Sequence, residues 1–329
     1  MEIIRKYIDH VRNVRRYSER TVHLYEDVLN RYVRMTFPDG TPDESGFMES
    51  FNRFEIRGFM VALMEDEGLS PKSVSLHMSA LSSFCRYLVK EGKLKSNPVR
   101  TLTRPKVEKR LPEYFREEAM QAYFDKTREE ASSKYLVAFK ENLDNDNGKK
   151  LYQQRLARLI ISILYDTGLR RSELIGLKIE NVDFARQTLK VVGKGNKMRE
   201  IPLLASLCQE ILLYLEAVEA LVCGKRSLKE PLLVTFRGSP LYPVYVDRTV
   251  KAELGDVKGI TGRKSPHVLR HSIATELMNN ETNLNSIKEM LGHSSLATTQ
   301  VYTHSSFARL KDIYKRAHPR AKNGGKHGD

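Results

Sequence analysis

The chain has 329 residues, 40% of them hydrophobic and 29% charged, with a formal net charge of +14. That length exceeds one typical domain, and the composition excludes a fibrous or wholly disordered chain. Its excess of Lys and Arg favours a polyanionic partner, nucleic acid first among them. Cys85, Cys208 and Cys223 are too few and too far apart for a disulfide framework or a Cys-x-x-Cys zinc site. No apolar run approaches a membrane span, and the opening MEIIRKYIDHVRNVRRYSER lacks the apolar centre of a signal peptide. A cytosolic protein is expected.

Residues 1–95 read as a bundle of four helices. Ile4, Tyr7, Ile8, Val11 and Val14 make one apolar stripe at three- and four-residue spacing. Ser18 stands where a cap belongs, and Leu24, Val28, Leu29, Tyr32 and Val33 carry the next stripe. FPDGTPDESG breaks the pattern. Phe54, Ile56, Phe59, Met60 and Leu63 predict a third helix. Ser70-Pro71 pairs a cap with proline at the first helical position, and Val74, Leu76, Met78, Leu81, Phe84, Tyr87 and Leu88 then run to a stop at Gly92. Residues 96–112 form a basic linker with no residues for a packed core; Lys and Arg there could lie along phosphates.

A second domain is expected over 113–316. Helical patterns occupy 116–140 and 151–166, with ENLDNDNGKK as a polar loop between them. Thr188–Val192, a glycine-rich turn and Met198–Leu203 predict a β-hairpin. The rest is mainly helical, and 317–329 reads as a fraying basic tail.

Polar residues cluster at the element boundaries of this second domain. In TGLRRSEL, Gly168 ends one helix, Ser172 helps begin the next, and Arg170 lies in the turn. In SPHVLRH, Ser265 caps and Pro266 opens a helix whose His267 and Arg270 share one face, a placement suited to an anion. His293 falls in a turn after Gly292, and Tyr302 follows nine residues later. Each signal alone is weak. Together they supply what a phosphodiester under attack requires. Two arginines offer charge and bidentate donors, histidines exchange protons near neutrality, a hairpin lysine can protonate a leaving alkoxide, and a tyrosine can attack. No Asp/Glu cluster for Mg²⁺ accompanies them, so neither metal nor cofactor is expected.

The blocks TGLRRSEL, VVGKGNKMREIPL, HVLRHSIATELM and LGHSSLATTQVYTH, in this order, resemble the tyrosine recombinase (integrase) family, most closely its Xer-like members. SPKSVSLHMSALSSFCRYLVKEGKLKSNP resembles the family's N-terminal, SAM-like core-binding domain. The resemblance covers nearly the whole chain. It implies a mainly α fold, with a helical DNA core-binding domain and an α+β catalytic domain carrying a small hairpin. It implies a site-specific recombinase that works through a 3′-phosphotyrosyl ester without metal or ATP. Arg170 and Arg270 would clamp the scissile phosphate, with His293 as a further donor. His267 would assist proton transfer and Lys194 would protonate the 5′-hydroxyl, with Lys197 as its rival. Tyr302 would attack, and Glu173 would orient the site from behind. His271 and His304 read as structural or surface residues.

The implied partner is double-stranded DNA bearing a recombination site. Lys72, Arg86 and Arg104 are candidate contacts. Family members close a C-shaped clamp and assemble as homo- or hetero-tetramers through the last helix, here with Phe307, Leu310, Ile313 and Tyr314 as its apolar face. A bacterial, nucleoid-associated protein follows. Segment 124–150 is longer than the Xer-like pattern needs. Two alternatives remain at this point. One is a type IB topoisomerase-like enzyme. The other is a non-catalytic DNA-binding regulator, since NLNSIKEMLGHSSLATTQVYTH could pass for a helix-turn-helix.

Overall fold

The computed structural model describes residues 1–40, 42–106, 114–193, 198–279, 314, 316 and 318–323. The chain divides into two units, Met1–Arg110 and Leu111–Asp329, each with its own apolar core.

The first unit is helical: α1 (Glu2–Asp9), α2 (Glu19–Thr36), a short α3 (Glu44–Glu49), α4 (Arg53–Glu65) and α5 (Pro71–Lys90). Side chains cap the starts, Ser18 and Ser70 as the sequence predicts and Asn52 in addition. Ser18, Asn52 and Ser70 accept from backbone N–H groups two or three residues on, each worth about 1 kcal/mol. Two features depart from the predicted stripes. A π turn over His10–Val14 follows α1, with Arg15 N–H bonded to the His10 carbonyl five residues back. The wider turn rotates Val14 off the apolar face, leaving it 67% exposed. Phe54, in the first turn of α4, is 82% exposed, and Leu76 lies on the outer side of α5. The residues after α5 are also not a bare linker. A 3₁₀ turn at Pro98–Thr101, capped by Asn97, buries Val99 in the bundle core, and the Asn97 amide reaches back to Ser82.

The second unit is built around α8 (Asp146–Thr167), against which α7 (Ser133–Lys140), α10 (Ala205–Val222), α11 (Pro243–Glu253) and α12 (Pro266–Asn279) pack. α6 (Glu117–Lys126) precedes α7. The predicted polar loop is shorter than 141–150, because Asn145 caps α8 and starts it at Asp146. Gly148 lets that first turn lie against the Asn142 carbonyl, whose oxygen a Cβ would strike. β1 (Val182–Asp183), β2 (Thr188–Val192) and β3 (Met198–Pro202) form an antiparallel sheet in the order β1-β2-β3, with Val191 opposite Arg199 and Val192 opposite Met198. The hairpin is thus as predicted, although its turn residues 194–197 lie outside the described set. Among the described residues no helix is long and apolar enough to cross a membrane.

The C-terminal tail differs from expectation. Residues 319–323 form a short helix, α13 (Pro319–Asn323), and His318 is fully buried. Arg320 bonds Asp166 at 2.7 Å and Glu210 at 2.8 Å, and its guanidinium lies 4.0 Å from the centre of the Phe124 ring. Arg158 and Ser162 also bond Glu210. Tyr314, proposed above for contact with a neighbour, is instead buried in its own chain, donating to the Asp166 carbonyl at 2.8 Å. Gly, Lys and Arg content suggests fraying, but the carboxylates that fix this tail lie more than a hundred residues away in sequence. Burial pushes the Asp166 carboxyl up to about 6, against the pull of Arg320. Arg320→Ala would leave two buried carboxylates short of a partner. It should cost about 3 kcal/mol of stability in a urea melt, and a loss under about 1 kcal/mol would mean the ion pairs contribute little.

Candidate active site

α8 ends where Gly168 adopts a left-handed conformation, φ +61°. This αL stop turns the chain and sets Arg170 at the start of α9 (Arg171–Ile175). Ser172 does not cap α9, as the sequence suggested. The Glu173 carboxylate does, accepting from the Arg170 backbone N–H at 2.9 Å. The same carboxylate accepts from Arg170 Nη1 at 2.8 Å, so Glu173 fixes both ends of the arginine.

α12 brings the second arginine. Ser265 Oγ accepts from the Val268 N–H, and Pro266 opens the helix, as its sequence predicts. Arg270 is buried and donates from Nη1 to the Gly168 carbonyl at 2.6 Å. That bond ties α12 to the loop holding Arg170. Burial, then the nearby Arg170 charge, pulls the Arg270 guanidinium down to about 10. His267 is exposed on the same helix, its ring stacked on His271 with centres 6.3 Å apart. Burial, then the His271, Arg270, Arg263 and Arg170 charges, holds His267 below the usual imidazole range. It is therefore neutral near pH 7 and able to take a proton.

A third arginine was missed in the sequence. Arg199, on β3, is buried and grips Glu173 with two parallel bonds at 3.0 and 2.8 Å. Burial raises the Glu173 carboxyl, but the Arg199 and Arg170 bonds outweigh it and keep the group below the ordinary carboxylate range. A signal did exist. Arg199 alternates with Ile201 on the inward face of the strand, and a buried arginine needs an acid.

Arg170, Glu173, His267 and Arg270 are thus brought to one place. Lys194, Lys197, His293, Tyr302 and His304 lie outside the described residues, as do Phe307, Leu310 and Ile313. Lys72, Arg86 and Arg104 are in the first unit and are all exposed. Arg104 donates to Ser79 Oγ, while Arg86 lines a cleft of about 260 Å³ with Tyr7, His10, Arg15, Tyr87 and Lys90. Among the described residues no group of three or more His, Cys, Asp or Glu converges as a metal site.

Residues 139–309 match the phage integrase family, and residues 4–92 match the SAM-like N-terminal domain of phage integrases. The chain belongs to the tyrosine recombinase (phage integrase) family. Its relatives include the tyrosine recombinase XerC of Chlorobaculum tepidum, 33% identical over 96% of this chain and 94% of that protein. The XerC of Halalkalibacterium halodurans is 34% identical over 93% of each. The chain is a site-specific recombinase of the tyrosine type; neither a topoisomerase nor a purely binding regulator is favoured. Solved structures share the fold. XerH bound to a palindromic difH substrate matches with TM-score 0.63 at 19% identity, over 92% of this chain and 78% of that one. A λ integrase dimer on a COC′ core site gives 0.59 at 18%, over 92% and 98%.

Proposed function

We propose that the chain cuts and rejoins DNA strands at a specific site, with Tyr302 attacking the scissile phosphate to leave a 3′-phosphotyrosyl ester and a free 5′-hydroxyl. One observation carries this reading. The Arg270 bond to the Gly168 carbonyl gathers Arg170 and Arg270 at one loop, where Arg170 and Arg199 bond the Glu173 carboxylate and the Arg270 charge lies close by. Such an excess of fixed positive charge suits a phosphate gaining charge in its transition state. His267, neutral in this setting, would accept the tyrosine proton. Lys194 would protonate the departing 5′-oxygen, and His293 would add a donor. The partner strand's 5′-hydroxyl then attacks the ester, so the bond energy is conserved and ATP is not used.

The first unit would hold the duplex by its backbone. Exposed Lys72 and Arg104 and the basic cleft around Arg86 support this, and affinity should fall steeply with salt. Assembly as a homo- or hetero-tetramer on paired sites, in a bacterial nucleoid, completes the proposal. The deciding experiment maps covalent protein–DNA junctions across the host genome. A recurrent sequence with the protein on the 3′ side is expected, and scattered junctions would instead indicate a topoisomerase.

Two further outcomes are expected on a nicked duplex built on the mapped site. Adduct formation should be unchanged by EDTA, and its loss on chelation would contradict the metal-free mechanism. The acid limb of the cleavage rate should fall below pH 6.5, because the lowered His267 pKa keeps the base unprotonated further into acid. His267→Gln should flatten that limb; an unaltered profile would remove His267 from proton transfer.

A further inference from the structure

We infer that Arg199 is a positioning residue for the recombination reaction, acting through Glu173 to keep the Arg170 guanidinium aimed at the scissile phosphate. The inference rests on the reading above that Arg170 binds that phosphate.

Glu173 has two oxygens and two arginines to serve. Arg199 takes one bond to each oxygen, at 3.0 Å to Oε1 and 2.8 Å to Oε2. Arg170 takes Oε1 with Nη1 and Oε2 with its backbone N–H. The carboxylate therefore receives four hydrogen bonds. Its plane is fixed by Arg199, whose side chain is 8% exposed, as Glu173's is 5%. Arg170's side chain is 42% exposed, so of the two arginines it is the one that solvent and DNA can reach. Arg199 is too deeply placed to share that role.

The division of charge matters as much as the geometry. A carboxylate left with Arg170 alone would swing to a two-pronged pair with it, the preferred arrangement of these groups. Arg170 would then spend its charge on Glu173 and present less to a phosphate. Arg199 prevents this by holding both carboxylate oxygens in place. It also anchors β3, which follows Lys194 in the sequence, to the loop of the arginine clamp. A buried ion pair of this kind is a poor source of stability, because desolvation offsets attraction. A role in fixing the site explains it better.

The test compares two nicked duplexes on the mapped site, one with an ordinary scissile phosphate and one with a methylphosphonate there. The methylphosphonate lacks one charged oxygen, so it depends less on the clamp's positive charge. Arg199→Met should slow adduct formation about 100-fold on the phosphate and less than about 5-fold on the methylphosphonate, each against the parent chain. DNA binding at fixed salt should be unchanged. Arg199→Lys, which keeps the charge but not the paired bonds, should show a smaller loss with the same selectivity. Equal losses on both duplexes, or no loss on either, would overturn the inference. Should Arg199→Met fail to fold, the Lys variant decides alone by the same comparison. Arg170→Ala separates the two claims. If its loss is not selective, Arg170 does not serve the phosphate; if it is selective and the Arg199 loss is not, only the positioning role fails.

Discussion

Tyr302→Phe should form no covalent adduct on a nicked duplex while binding that duplex as tightly as the parent. The variant loses one oxygen, and that oxygen is the proposed nucleophile. No other group in the proposed set can form the ester, since Tyr302 carries its only hydroxyl. The loss should therefore be complete on a denaturing gel, with no slow residual band. A gel shift at one salt concentration measures binding in the same sample. Adduct from the Phe variant would show that another residue attacks. Loss of binding along with the adduct would make Tyr302 structural.

Arg270→Ala should slow single-turnover cleavage at least about 10³-fold and weaken binding less than about 10-fold. A donor aimed at a developing negative charge is worth about 3–4 kcal/mol when removed, and an arginine supplies both donors and charge. If binding is spread over many phosphate contacts, as proposed, one fewer should change it little. Arg270→Lys should recover only part of the rate, because an ammonium cannot form the guanidinium's paired bonds. The Gly168 carbonyl also loses its partner in the Ala variant. A thermal melt separates that structural cost from the chemical one. Equal drops in binding and cleavage would mean that Arg270 shapes the site without stabilising the reaction.

Much of this architecture is legible in the sequence. Local signals were reliable where the physics is local: Ser18 and Ser70 as caps, Gly168 as a helix stop, Ser265-Pro266 as a helix start, and the β2–β3 hairpin. Arg170, Glu173, His267 and Arg270 were all chosen from motif blocks, and the structure gathers them. Misreadings arose where periodicity assumes one helix type or where a partner is distant. Val14 was assigned to the core on 3.6-residue spacing that the π turn breaks. Arg199 lies within VVGKGNKMREIPL, yet its partner Glu173 is in another element. His318 and Arg320 looked like solvated tail, because Asp166 and Glu210 come near them only through the fold.

The end of α8 has a thermodynamic consequence. Within three residues, the Asp166 side chain takes Arg320, its carbonyl takes Tyr314, and the Gly168 carbonyl takes Arg270. Tail, central helix and arginine loop are thus fastened at one point, and none can open without disturbing the others. Sub-global opening of this region should be a single cooperative event. Amide protons of the last turn of α8 and of the start of α12 should then exchange with one common free energy.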